Sequence, residues 1–255
     1  MNRLSALGGA LRYEFLMQVR RRAIWVVLAL VGLMSAILWL AFTAGGETTD
    51  LDAVMYLAQF TARFLPVGAG LVLADRLARD EKLRVNELLD TCPGSLGSRL
   101  FGKYIGCTLA TLVPVVLLYT AGVADILVRF HHPYDLVLTL ATFAAIPLPG
   151  ILFAAGFSLA LPALLKVPLY QVLFIGYWFW ANLMSPRFQI PTLVATMLNA
   201  TGPWAQEAFF NYPWVFLRLH PAVWQGVLSI ALLIGLSLLA VCLAWLYLRW
   251  TKTHR

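Results

Sequence analysis

Charge is what this chain has little of. Charged residues make up 12% of it and hydrophobic residues 61%, whereas a soluble domain carries about 25% charged residues. A water-soluble fold of 255 residues has too little interior to hide that much apolar surface. Carboxylates are scarcer than cations, with 12 Asp and Glu against 19 Lys and Arg. None falls inside a confident apolar run, which removes intramembrane aspartyl chemistry and carboxylate proton relays. Cysteine is scarce too: Cys92, Cys107 and Cys242 are an odd, scattered set that cannot make a disulfide framework. The apolar runs also lack the alternation over ~10 residues of a barrel strand. What is left is an all-α integral membrane protein.

A helix needs about 20 apolar residues to cross a ~30 Å hydrocarbon core. Six stretches qualify, at 23–44, 53–74, 104–124, 136–163, 167–184 and 222–248, so residues 1–255 read as one transmembrane domain. Basic residues then set the orientation. Fifteen lie in the N-terminal segment, the 75–103 segment, the 164–166 turn and the C-terminus; Arg129, Arg187 and Arg218 lie on the other side, and Arg63 lies within span 2. That asymmetry places both termini in the cytoplasm of a multi-pass protein of the plasma (cytoplasmic) membrane. The net charge of +7 follows from it, and no nucleic-acid-reading motif accompanies it.

Residues 1–22 read as an amphipathic helix in the membrane interface. Leu4, Leu7, Leu11, Phe15 and Val19 recur at helical spacing, with Arg12, Glu14 and Gln18 expected to fall away from that stripe and Arg20–Arg22 at the lipid headgroups. The apolar run that follows is too long for a signal-peptide core, so it reads as a retained span.

The most informative stretch is 75–103, with six Lys/Arg and five Asp/Glu between two apolar runs. It is too charged to enter a bilayer and too short for a catalytic domain, which suggests a docking surface for a cytoplasmic partner. Span 2 is expected to continue as helix to about Arg84, supported by i,i+3/i+4 pairs among Asp80, Glu81, Lys82 and Arg84. A one- to two-turn helix follows. Val85, Leu88, Leu89 and Cys92 form its apolar face, Glu87 and Asp90 oppose them, and Pro93-Gly94 ends it. Ser95 or Ser98 can cap the helix entering span 3.

Pro147, Pro149, Gly150, Gly156 and Pro162 predict a broken span 4. Between spans 5 and 6, FQIPTLVATML and EAFFNYPWVFL are too apolar for a free loop and too short to span. Re-entrant or interfacial outer helices are the expected compromise, with Trp204, Tyr212 and Trp214 as an aromatic belt. The Asn199-Ala-Thr201 sequon reads as chance.

Sequence motifs for catalysis fail on inspection. GSRLFGKY at 97–104 nearly matches a phosphate-binding loop, but Tyr104 stands where the magnesium-binding Ser/Thr belongs and no buried strand precedes it. GFSLA at 156–160 resembles a nucleophile elbow, but topology puts most of the membrane between Ser158 and His220. His131-His132, with Asp125 and Asp135 nearby, read as a polar turn rather than a metal site. The chain is therefore read as having no catalytic residue, metal or cofactor. Asp52, Tyr56, Gln59 and Arg63 form a polar stripe on span 2, and Arg63 is costly inside a membrane. Tyr56, Gln59 and Arg63, with Tyr177, Trp178 and Asn182 of span 5, are candidates for a transport path or a subunit seam. Outward snorkelling of Arg63 and aromatic anchoring of span 5 are the plain alternatives.

LRYEFLMQVRRRAIWVVLAL and LADRLARDEKLRVNELLDTCPGSLGSRLFGKYIG together resemble the permease, or transmembrane subunit, of the type-2 ATP-binding-cassette (ABC) transporter family. The second stretch is similar to that family's charged helix end, E-L-L-x-x-x-P core and G-K entering span 3. The resemblance covers essentially the whole chain and is one of layout. It implies an exporter subunit that dimerises with a second permease copy or paralogue, contacts membrane lipid and pairs with separate cytoplasmic ABC ATPase subunits. Those subunits would hold ATP and Mg. It also implies a coupling helix at Asn86–Thr91, and Val85, Asn86, Glu87, Leu88, Leu89, Asp90 and Thr91 are the residues expected to engage the ATPase. The importer-type E-A-A…G loop is absent, since EAFFNYP at 207–213 lacks the glycine and lies outside. The competing readings are a stand-alone secondary transporter or channel, which would need inverted repeats or coupling-ion sites, and a non-transporting scaffold.

Overall fold

In a computed structural model, residues 3–43, 49–76, 79, 96–185, 188–214 and 218–253 are described. Among them the regular structure is all-helical. In chain order the helices are α1 (Arg3–Val19), α2 (Arg22–Thr43), α3 (Asp50–Leu73), α4 (Leu96–Phe130), α5 (Tyr134–Ala145), α6 (Pro147–Ala160), α7 (Val167–Trp178), α8 (Pro203–Phe210) and α9 (Val223–Thr253).

Five helical stretches are long and apolar enough to cross a membrane: Arg22–Ala41, Asp50–Leu73, Gly97–Phe130, Tyr134–Ala163 and Val223–Thr251. They agree with five of the expected spans. The fifth expected span, 167–184, forms α7 and a π-helical turn over Phe179–Leu183, so it is shorter than the others. The fourth is broken as expected. Ile146 is distorted within the right-handed helical region at φ −110°, ψ −70°, because Pro147 offers no N–H and crowds the residue before it.

α3 starts with a reciprocal cap. The Thr49 hydroxyl accepts from the Asp52 N–H, and the Asp52 carboxylate accepts from the Thr49 N–H at 3.1 Å. Regular α3 geometry ends at Leu73, although an α-type bond from the Arg79 N–H to the Asp75 carbonyl follows at 2.9 Å. The expected continuation to Arg84 lies outside the described residues.

α1 lies along α4, α2 packs on α3, and α6 is flanked by α3 and α9. Small residues permit the close approaches, as membrane helix packing requires. A Cβ on Gly156 would collide with Ser237 of α9, and one on Gly106 of α4 would stand 2.7 Å from the Leu11 carbonyl oxygen of α1. The outward side of α2 exposes Val26, Leu30, Leu33 and Ile37 at helical spacing, which suits a lipid-facing surface.

The segment between the fifth and sixth expected spans corrects one expectation. Of its two apolar stretches, FQIPTLVATML folds as turns, and α8 is a helix of 8 residues starting at Pro203. Side chains replace the helical ladder. The Asn199 side chain donates to the Val194 carbonyl at 2.7 Å and accepts from the Thr201 N–H at 3.0 Å. Asn199 and Thr201 are fully buried, so this sequon is closed to a glycan.

Candidate functional site

The 77–95 segment leaves α3 and returns into α4, and both of its flanks are held by α1. Arg76 follows α3 and Lys103 lies in the second turn of α4. Glu14 of α1 reaches both. One carboxylate oxygen accepts from Arg76 Nε at 3.1 Å, and the other meets Lys103 Nζ at 2.9 Å. All three residues are buried. Arg21, between α1 and α2, adds a fork to Asp75, with Nη1 at 2.7 Å from Oδ1. Four segments thus converge on one ionic cluster.

Burial alone would raise the Glu14 carboxyl pKa. The Lys103 ammonium and the Arg76 guanidinium outweigh it and hold the group below its ordinary value. Glu14 is therefore an anion, and it compensates cations that would otherwise be costly to bury. Gln18, one turn on, is also fully buried. Among the described residues neither end of its amide has a hydrogen-bond partner.

The inward face of α1 is not the expected stripe alone. Glu14 and Gln18 were expected to fall away from that stripe, of which Leu11, Phe15 and Val19 are half-buried. Glu14 and Gln18 themselves point into the protein, while Tyr13 and Leu16 stand 52% and 41% exposed. The physical reason is that α1 rests on α4 and the end of α3, which present cations. One sequence signal pointed there: Glu14 is the only carboxylate before Glu47, in a segment with five arginines. The expected ATPase-contacting residues, Val85, Asn86, Glu87, Leu88, Leu89, Asp90 and Thr91, lie outside the described residues.

The polar stripe of α3 has its own neighbourhood. Tyr56, Gln59 and Arg63 line a cavity of about 20 Å³ together with Gln206 of α8 and Tyr212. That is room for about one water molecule. Gln59 donates to the Gln206 side chain and to the Thr201 carbonyl, the latter at 3.3 Å. The Tyr212 hydroxyl donates to Asp52 at 2.7 Å. Burial first, then this bond to an anion, raises the Tyr212 pKa. Gln206 and Tyr212 were not expected as partners of the stripe.

Residues of the fifth expected span have other occupations. Trp178 is buried and its indole N–H donates to the Arg63 carbonyl at 2.8 Å. Asn182 is buried, donates to the Trp178 carbonyl at 3.1 Å and accepts from the Ala200 N–H at 2.7 Å. Tyr177 sits near Phe153 and Trp180, with ring centres 6.5 and 6.3 Å apart. Ser158 shares a hydrogen bond with the Tyr170 hydroxyl at 2.8 Å. Asp125 is paired with Arg129 at 2.9 Å and accepts from the Trp39 indole.

No protein-family model matches this chain, and no curated protein matches it.

Proposed function

We propose that this chain is the membrane-spanning permease subunit of an ATP-driven exporter of the type-2 ABC kind. It crosses the membrane six times, with 167–184 as the additional crossing, and keeps both termini in the cytoplasm. It dimerises with a second permease copy or paralogue and moves an amphipathic or hydrophobic cargo. ATP and Mg reside on separate cytoplasmic ATPase subunits, which the segment around Val85–Thr91 contacts.

The observation that carries this reading is the Glu14 cluster. A partner that moves a short charged segment can act on the membrane helices only if the segment's ends are mechanically tied. Glu14 ties the end of α3 to the start of α4 through one buried carboxylate, and Arg21–Asp75 adds α2. Displacement of the segment would then shift three helices together, as switching between two discrete packings requires.

The test is purification of the tagged chain from its native membrane and assay of the isolate for ATPase activity. The expected result is a co-purifying ATPase that is lost in Leu88→Asp/Leu89→Asp while the chain still folds. An isolate with no ATPase, or undiminished ATPase association in that variant, overturns the reading.

A further inference from the structure

We infer that the basic cavity between α1 and the end of α3 is a binding site for the phosphate of an anionic phospholipid. The cavity has a volume of about 400 Å³, within the ~300–1,000 Å³ of small-ligand sites. Its walls include Tyr13, Leu16, Arg20, Arg21, Arg76 and Arg79. This inference needs only that the chain spans a membrane and does not depend on the exporter reading.

Charge points to an anion. Four guanidinium groups meet in the cavity. Asp75 neutralises Arg21 and Glu14 neutralises Arg76. Arg20 and Arg79 are exposed and have no carboxylate partner among the described residues. Two arginine forks lining one cavity match a phosphodiester, whose oxygens accept paired N–H donors. The neutralised pair matters as well, because Arg21 and Arg76 are already fixed and hold the cavity's shape.

Position points to a lipid. Arg20 and Arg21 immediately precede α2, and Arg76 and Arg79 follow the end of α3. The cavity therefore lies where two apolar helices leave the hydrocarbon, at headgroup depth. Trp25, one turn into α2, is 38% exposed and its indole N–H donates back to the Val19 carbonyl at 2.7 Å, as suits an interfacial tryptophan. Tyr13 and Leu16 give the cavity an exposed apolar shoulder, which a lipid glycerol and acyl chain would cover and a free phosphate would leave wet. Basic pockets between membrane helices on the cytoplasmic side are suited to such headgroups.

The test uses the full chain in a zwitterionic detergent, with native mass spectrometry against phosphatidylglycerol, phosphatidylcholine and inorganic phosphate. The expected result is retention of phosphatidylglycerol over phosphatidylcholine, insensitive to millimolar phosphate. Arg20→Gln/Arg79→Gln leaves both ion pairs intact and should weaken that retention by roughly thirtyfold. Arg12→Gln, an exposed arginine of α1 outside the cavity, should change nothing. Equal retention of the two lipids overturns the proposal, as does undiminished retention in the folded double variant. Displacement by inorganic phosphate makes the cavity a soluble-anion site and overturns the lipid assignment. Should the double variant fail to fold, the single variants Arg20→Gln and Arg79→Gln and the wild-type lipid comparison still decide.

Discussion

Glu14 and Lys103 meet at 2.9 Å, and each is more than nine-tenths shielded from solvent. The same carboxylate holds Arg76, which is 2% exposed. One anion therefore meets two buried cations from the two ends of a charged segment.

Removing that anion should be costly. Glu14→Gln leaves Arg76 and Lys103 buried with their shared carboxylate gone, and breaking a buried pair costs about 3–5 kcal/mol. The thermal unfolding midpoint in detergent should fall by more than for Asp75→Asn, whose pair is partly exposed. Adding Lys103→Met to Glu14→Gln should restore part of the loss. Wild-type stability in Glu14→Gln would refute a structural role for the cluster.

The same carboxylate sets a pH dependence. Its pKa in the folded chain lies below the ordinary 4.5, so the unfolded chain binds its proton more readily. Its contribution to stability is fully present above the unfolded value and is lost as pH falls through the folded one. Wild type should therefore lose stability on acidification below about pH 4.5 more steeply than Glu14→Gln. Parallel acid profiles for the two proteins would contradict this.

Gln18→Leu should stabilise the chain. Its amide is fully buried and lacks a hydrogen-bond partner among the described residues, and such a group costs about 1–3 kcal/mol. Leucine has similar bulk and a comparable helix propensity. A rise in unfolding midpoint is expected. A fall would mean that Gln18 contacts something the isolated chain lacks.

Topology can be settled by labelling. With the three native cysteines replaced, single cysteines at His131, Gln189 and Thr253 each report one side of the membrane. His131 and Gln189 are exposed. If 167–184 crosses, an impermeant outside reagent should reach His131→Cys and Gln189→Cys but not Thr253→Cys. If it does not cross, Gln189→Cys is protected and Thr253→Cys is labelled, which sinks the six-span reading.

Apolar run length was legible in the sequence because a bilayer imposes it on each segment separately, whatever its neighbours. The spans expected at 23–44 and 222–248 correspond to α2 (Arg22–Thr43) and α9 (Val223–Thr253). Pro147 likewise announced the break after Ile146, since a missing N–H acts within its own helix. The turns over FQIPTLVATML were misread as helix because their apolar content is real, while the buried Asn199 that organises them acts through local bonds invisible to hydropathy.

Tertiary structure alone decided which way α1 turns. Helical spacing placed Glu14 and Gln18 on one face, and that much was local. Whether that face meets water or protein depended on Arg76, which lies 62 residues away, and on Lys103 beyond it. A lone carboxylate is stable in solvent or between buried cations. Only the docking of α1 on α4, permitted by the missing Cβ of Gly106, brought those cations close enough to choose.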